Sequence, residues 1–483
     1  MTNDASMRSK LQKFTDFTNT LLPHETQYLL SVQQFDDEVK LGILRQVDYN
    51  CRYIDQFIPY DTSIDKRKYS LLKNWIEARL QAVDVDEHFE WMNDMERKIM
   101  TDSIQLQEEK TLLKAIRNYE YPGFFFTKFY ELVELYRHFL LIRMRYADHK
   151  LTDDFIESHR EAYLQSKSIS EKLHQATRDI VMQYSSNSTE SIQWEEWLSE
   201  IFYNEQLDGF IRYLALVRLT FISFNYRKYD ILRGKYDYLD KQFAQGAYYS
   251  KRILLNYYSN RLMLHSHFRE YDKAVYYGYL SIREKNHDYI HYVNNLCAVL
   301  LRQKRNQEAL QLMRKAAPEM KVTKNFHTRV GFVAFYVEAL NKNGQYKNAE
   351  NYADSFLKAY PKEVLQYRWH LFFSVYFEAL LRRHQHQKIL RITQKYKLLE
   401  KDKAYQAKAS YLPTIPWYYE IARYKEGLLS QKELTQIFQE YLDSRAHAPD
   451  KLELLKSTMD SLQSIPPEVM RQLEWNMIKH VNK

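Results

Sequence analysis

Few residues in this 483-residue sequence have the types and spacing that catalysis or metal binding would require. Glu171 and His174 stand three residues apart, the spacing found on one helix of a di-iron site, but such a site needs a second copy of the motif and two further carboxylates. The two cysteines, Cys51 and Cys297, are far apart in the chain and match no ligand spacing. We therefore expect a solvated helix face at Glu171 and His174, and two small buried hydrophobic side chains at the cysteines.

The short motifs that mark phosphate, nucleophile and zinc sites are also missing from the sequence. The patterns G-x-x-x-x-G-K-[ST], G-x-G-x-x-G, G-x-S-x-G, H-E-x-x-H and C-x-x-C do not occur. The nine glycines are scattered singly, as turn residues would be. The sequence therefore predicts a protein without catalytic residues, without a metal site and without a cofactor.

One segment, residues 379–408, is strongly basic and also contains Tyr396 and Tyr405. Cations neutralise phosphates and aromatic rings stack on bases, so this combination is one that binds single-stranded nucleic acid. A solvated basic face is the alternative that we favour, because tyrosine is abundant throughout the chain. The basic patch is assigned to Arg383, Lys388, Arg391, Lys395 and Lys397.

The elements that must position these residues are predicted to be helices. The sequence has 9 Gly and 10 Pro against 41 Tyr and 25 Phe. A chain of this length with ordinary usage would carry about thirty glycines and about twenty-five prolines. An open α/β sheet and a β-sandwich both need many turn residues, so long helices joined by short turns are expected instead.

From about residue 206 onward the sequence repeats with a period of 40 residues. The segments 333–340 (VAFYVEAL) and 373–380 (FSVYFEAL) align with each other, and the tyrosines Tyr336 and Tyr376 are in register. The same offset backwards places Leu296, Ala298 and Leu300 in this frame, and a second mark recurs nine residues after each of the three copies, at Ala309, Ala349 and Ile389. A small residue at this mark allows two helices to approach closely, which predicts paired helices.

The copy at 333–361 resembles the tetratricopeptide (TPR) family of helix–turn–helix repeats. Its turn reads Asn-Gly-Gln-Tyr-Lys-Asn-Ala over 343–349, and Ala353, Phe356 and a closing Pro361 follow. The segments 271–274 and 306–309 show the same turn without the glycine. The period of 40 is longer than the 34 residues of the family, so armadillo-like and HEAT-like pairs remain alternatives.

The resemblance implies that the first helix of each pair lines a concave groove. Arg302, Lys342 and Arg382 would then occupy one equivalent position in three successive repeats, and we assign them, together with Asn294, to a partner-binding site for an acidic segment. The alternative is that each cation only complements the dipole of its own helix, worth about 0.3–1 kcal/mol.

Charge and helix pattern suggest three regions along the chain. Residues 1–200 carry a net charge of −9 and residues 201–483 a net charge of +17. We predict an acidic N-terminal helical region at 1–205, a basic TPR-like solenoid at 206–445 and capping helices at 446–483. In the first region, helical stretches are predicted at 64–83, 86–118, 124–149 and 152–184.

The fold class is therefore predicted to be all-α, an α-solenoid preceded by a further helical region. The expected function is a non-catalytic scaffold or adaptor that binds an acidic or extended segment of a partner protein. A nucleic-acid-binding helical repeat is the alternative, and a peptide-sensing regulator is a weaker one. No apolar signal core or membrane-spanning run is found, so a cytoplasmic protein without a membrane partner is expected. The sequence does not indicate an oligomeric state.

Overall fold

The computed structural model describes residues 11–186, 190–406 and 411–443, together with the isolated positions 458, 459, 462 and 469. Within these residues the chain is helical, with twenty-three α-helices, one short 3-10 helix and no β-strand. The prediction of an all-α solenoid is confirmed. None of the described helices combines the length and the hydropathy that crossing a lipid bilayer requires.

The chain divides into two compact units, which we call unit 1 (residues 1–269) and unit 2 (residues 270–483). Three helices that the sequence analysis assigned to the solenoid, within residues 206–269, therefore fall in unit 1. The predicted capping helices at 446–483 lie almost entirely outside the described residues.

Unit 1 contains twelve α-helices among its described residues. They are α1 (Gln12–Thr18), α2 (Pro23–Val32), α3 (Glu38–Arg52), α4 (Lys66–Val83), α5 (Val85–Met100), α6 (Leu106–Arg117), α7 (Phe126–Ile142), α8 (Tyr146–Ser186), α9 (Glu195–Tyr203), α10 (Gly209–Tyr226), α11 (Asp230–Ala244) and α12 (Lys251–His267). The 3-10 helix is Glu190–Trp194. The predicted stretch at 86–118 is thus two helices, α5 and α6.

The helices of unit 1 bury a large aromatic core. Helix α7 packs against α5 and α8, and its inward residues Phe126, Phe129 and Tyr136 are fully buried. Asp208 caps α10 by accepting from the backbone N–H groups of Phe210 and Ile211, and its second oxygen accepts from the backbone N–H of Thr127 at the start of α7. One carboxylate therefore fixes the starts of two helices.

Unit 2 contains eleven α-helices among its described residues. They are α13 (Tyr271–Ser281), α14 (Tyr289–Arg302), α15 (Asn306–Val322), α16 (Phe326–Lys342), α17 (Tyr346–Ala359), α18 (Pro361–Gln366), α19 (Trp369–Arg382), α20 (His386–Lys395), α21 (Leu398–Tyr405), α22 (Thr414–Lys425) and α23 (Gln431–Asp443).

Most helices of unit 2 form consecutive antiparallel pairs. Helices α14, α16, α19 and α22 also pack side by side, and we call them the first helices. Each is followed by a second helix, namely α15, α17, α20 and α23 in that order. The predicted close contacts fit this scheme, because Ala309, Ala349 and Ile389 on the second helices are fully buried.

Each pair in unit 2 is joined by the same tight turn. The middle turn residue has positive φ at Lys304 (60°), Gly344 (72°), His384 (56°) and Gly427 (72°). The next backbone N–H bonds back to the first helix, for example from Gln345 to the Leu340 carbonyl at 2.9 Å. Lysine and histidine therefore adopt a left-handed conformation that glycine adopts without strain, at a cost of about 1–2 kcal/mol.

Candidate partner-binding face of unit 2

The three predicted groove cations end the first helices of unit 2. Arg302, Lys342 and Arg382 are the last residues of α14, α16 and α19. Lys342 Nζ lies 3.0 Å from a carboxylate oxygen of Glu378 on the next first helix. The guanidinium carbon of Arg382 lies 5.9 Å from the ring centre of Tyr346.

A row of glutamates faces this row of cations. Glu338 and Glu378 are 40 residues apart and stand four residues before Lys342 and Arg382 on their helices. Burial, with the neighbouring Glu378 carboxylate, raises the pKa of Glu338 to about 7, while Lys342 and Arg302 oppose this shift. Lys342 and Arg302 therefore already offset the charge of largely buried carboxylates on the first helices, a role that the repeat spacing does not indicate.

Asn294 does not lie beside the predicted cation row. It stands eight residues before Arg302, about 12 Å along α14 at the usual helical rise. The side chain is 1% exposed, and its Nδ2 donates to the Thr328 carbonyl on α16 at 3.0 Å. A carbonyl can only accept, so this bond identifies the Nδ2 side of the amide, and Oδ1 is the atom on the other side. In the described part of the chain, this buried oxygen has no hydrogen-bond partner.

A cluster around Arg368 surrounds this amide at the amino-terminal ends of the first helices. Arg368 immediately precedes α19 with φ of 48°, and its Nε donates to Nε2 of His327 on α16 at 3.1 Å. A Cβ atom at Gly331 would lie 2.9 Å from Arg368 Nη1 and 3.2 Å from Asn294 Nδ2. A methyl group at 331 would therefore displace the end of the Arg368 side chain and crowd the Asn294 amide.

The histidines of this Arg368 cluster are held neutral. Burial, followed by the Arg368 charge, lowers the pKa of His327 to about 4. Burial and Arg368 also lower the pKa of His291, which lies one turn before Asn294 on α14. Near neutral pH the positive charge of the cluster therefore resides on Arg368. The arrangement can donate to a carbonyl or carboxylate oxygen at Arg368 and accept from an N–H group at Asn294.

The predicted basic patch is divided by the structure into two groups. Arg383 and Lys388 pair with Glu350 on α17, and Lys388 also pairs with Asp354. Arg391, Lys395 and Lys397 are exposed instead, and Lys395 Nζ lies 5.2 Å from the ring centre of Tyr396. The first group stabilises a contact between neighbouring pairs, and only the second presents its charge at the surface.

Sequence reasoning missed Arg368, His327 and Gly331. One signal was present, because a glycine within a helix costs roughly 0.5–1 kcal/mol relative to alanine and therefore suggests a close approach at that position. The partner at Gly331 could not be deduced, since Arg368 reaches it from 37 positions further along the chain.

No group of three or more histidine, cysteine, aspartate or glutamate side chains in the described ranges is arranged to hold a metal ion. Comparison with protein-family models, with curated proteins and with solved structures gives no match for this chain. The class of protein is therefore defined by the fold, which is an all-α chain whose consecutive helices pack in a repeat-like arrangement.

Proposed function

We propose that unit 2 is the binding module of a non-catalytic scaffold or adaptor of the cytoplasm, built from diverged TPR-like helix pairs. Its ligand is an extended, acidic segment of a partner protein that lies across the first helices. The Arg368 cluster is the proposed anchor, and the cation row at Arg302, Lys342 and Arg382 is the proposed second contact.

The observation that carries this proposal is the Asn294 amide, which lies with Arg368 near Gly331 and whose Oδ1 has no hydrogen-bond partner among the described residues. A buried acceptor without a donor costs about 1–3 kcal/mol, and a ligand N–H group would recover this free energy. A peptide unit brings an N–H for Asn294 and a carbonyl for Arg368, and an acidic side chain would add a charge-assisted hydrogen bond. Both features point to a peptide rather than to an apolar ligand.

The test is a selection of peptides from a random display library on the full chain. Sequences rich in Asp and Glu are expected to be enriched, and the affinity of a selected peptide is then measured by calorimetry. Arg368→Gln and Gly331→Ala should each weaken binding at least tenfold, because the first removes the charge and the second displaces the guanidinium. Arg391→Gln is the matched control and should bind normally. Equal binding by all variants would place the ligand elsewhere.

A second candidate function rests on the exposed group Arg391, Lys395 and Lys397 beside Tyr396. These side chains suit the backbone and bases of single-stranded nucleic acid. The affinity for an oligonucleotide should then fall steeply with salt and should be lost in the triple glutamine variant of the three cations. Binding that is unchanged by these substitutions would exclude this surface.

A further inference from the structure

Two helix turns of unit 1 display an unusual concentration of apolar side chains. The turn between α5 and α6 and the turn between α7 and α8 are adjacent, because Arg143 Nη2 lies 2.6 Å from Asp102 Oδ1. Six large hydrophobic residues stand within four positions of this ion pair. We call them the tip patch: Met100, Leu106, Leu141, Ile142, Met144 and Tyr146.

The tip patch is a local concentration of exposed apolar side chains. Its side chains expose between 51 and 75% of their area, and they make up six of the twenty large hydrophobic side chains that are exposed among the described residues. Single exposed apolar residues are common and need no explanation, whereas several of them close to one point are typical of an interaction surface.

The backbone beneath the tip patch is fixed. Asp102 and Met144 adopt left-handed conformations with φ of 53° and 55°, and the Met144 and Arg145 N–H groups bond back to carbonyls of α7. Arg145 is held by Glu109 and Asp148, and the guanidinium of Arg143 stacks 3.6 Å from the Phe139 ring centre. The patch is thus displayed on a rigid frame, which limits the entropy that binding must overcome.

We propose that the occupant of the tip patch is the tip patch of a second copy of this chain, related by a two-fold axis. Six side chains of this exposure present on the order of 600 Å² per copy, so pairing would bury about 1,200 Å² in total, the lower end of the range for specific interfaces. The charges of Asp102 and Arg143 cancel within the patch. This ion pair therefore adds no net charge at the place where two copies would meet.

The first experiment measures the mass of the full chain by sedimentation velocity over a wide concentration range. A reversible dimer is expected, and Ile142→Asp should raise its dissociation constant at least tenfold because a carboxylate would be buried at the interface. Val322→Asp is the matched control, since Val322 is 79% exposed at the end of α15 and is not one of the patch residues. A wild-type chain that stays monomeric throughout, or a dimer that Ile142→Asp does not weaken, overturns the proposal.

The second experiment locates the interface by cross-linking with a bismaleimide that spans the patch. Cys51 and Cys297 are both buried, so a new surface cysteine is the reactive one. Ile142→Cys should give a covalent dimer at low protein concentration, and Val322→Cys should not. The reverse pattern would contradict a two-fold contact at the tips. Circular dichroism of each variant checks that the fold is retained.

Discussion

Units 1 and 2 are both built from helices joined by left-handed turns, yet different contacts hold them together. In unit 1, His24 on α2 lies 2.7 Å from the Tyr258 hydroxyl and 2.9 Å from Asp240, more than 200 residues away in sequence. In unit 2, the inter-helix amide bonds of Asn294 and Asn341 each span 34 residues. Unit 2 is therefore stabilised by contacts between neighbours in sequence, whereas unit 1 adds to such contacts others that join distant segments.

The largest expected effect tests the long-range contacts of unit 1. Glu25 is buried and accepts from Tyr249 at 2.6 Å and from Lys251 at 2.8 Å. Glu25→Ala removes one partner of a buried pair and should reduce the free energy of unfolding by about 3–5 kcal/mol. Hydrogen exchange should show the loss of protection within α2, α11 and α12. Glu77→Ala, which breaks an exposed pair with Lys73 at 3.5 Å, is the control and should cost less than about 0.5 kcal/mol.

Opposite responses to pH should distinguish two residues, one from each unit. Burial raises the pKa of Asp208 in unit 1 to about 6, above the usual value near 4, so the folded state binds the proton more tightly and its stability falls as pH rises from 4 through 6. Burial lowers the pKa of His370 in unit 2 to about 4, so stability falls as pH drops from 6.5 toward 4.

Each of these two contributions is on the order of 3 kcal/mol. Asp208→Asn and His370→Gln should each remove one of them, and denaturant unfolding at several pH values measures the difference from the wild type. A difference that does not vary with pH would mean that the group is not titrating as described.

An overpacking substitution tests the regular spacing of unit 2. Ala349 is fully buried where α17 approaches α16. Ala349→Leu should overfill this contact and cost about 1–3 kcal/mol, while Lys347→Leu on the exposed side of α17 should cost little. An unchanged melting temperature for Ala349→Leu would contradict close packing at this mark.

The smallest effect concerns the turns that join the pairs. Lys304→Gly removes the strain of a lysine in the left-handed conformation but increases the conformational entropy of the unfolded chain. The net effect should be a stabilisation of about 0.5–1 kcal/mol. Gly344→Ala should destabilise the chain instead. No atom lies within 4 Å of the added Cβ, so the loss of stability reports the backbone conformation alone. If neither substitution changes the free energy of unfolding relative to the wild type, turn strain is negligible in unit 2.

The repeat of unit 2 was accessible from sequence because its contacts recur at nearly constant separations. Ala309, Ala349 and Ile389 marked the second helices correctly, and all three are buried. The break between α5 and α6 was missed, since the turn at Asp102 contains neither glycine nor proline. The local signal is the Thr-Asp-Ser cluster at 101–103, since aspartate tolerates positive φ, but such polar residues are equally common on solvated helix faces.

The candidate site was predictable only in part. The 40-residue spacing placed Arg302, Lys342 and Arg382 at equivalent helix ends, as the structure shows. The paired glutamates and the Arg368 cluster could not be derived, because they depend on which faces of neighbouring helices meet. Side-chain direction across a helix interface is set by crossing geometry, which the period alone does not specify.

The shared turn has a consequence for how such a protein changes over generations. Its shape is kept by aspartate, methionine, lysine and histidine as well as by glycine, at Asp102, Met144, Lys304 and His384. Each replacement costs about 1–2 kcal/mol, which a buried helix interface can offset. The residue at the turn can therefore change during evolution while the helical hairpin is kept. In a chain of this kind, common descent would be recognisable in the backbone structure for longer than in sequence motifs.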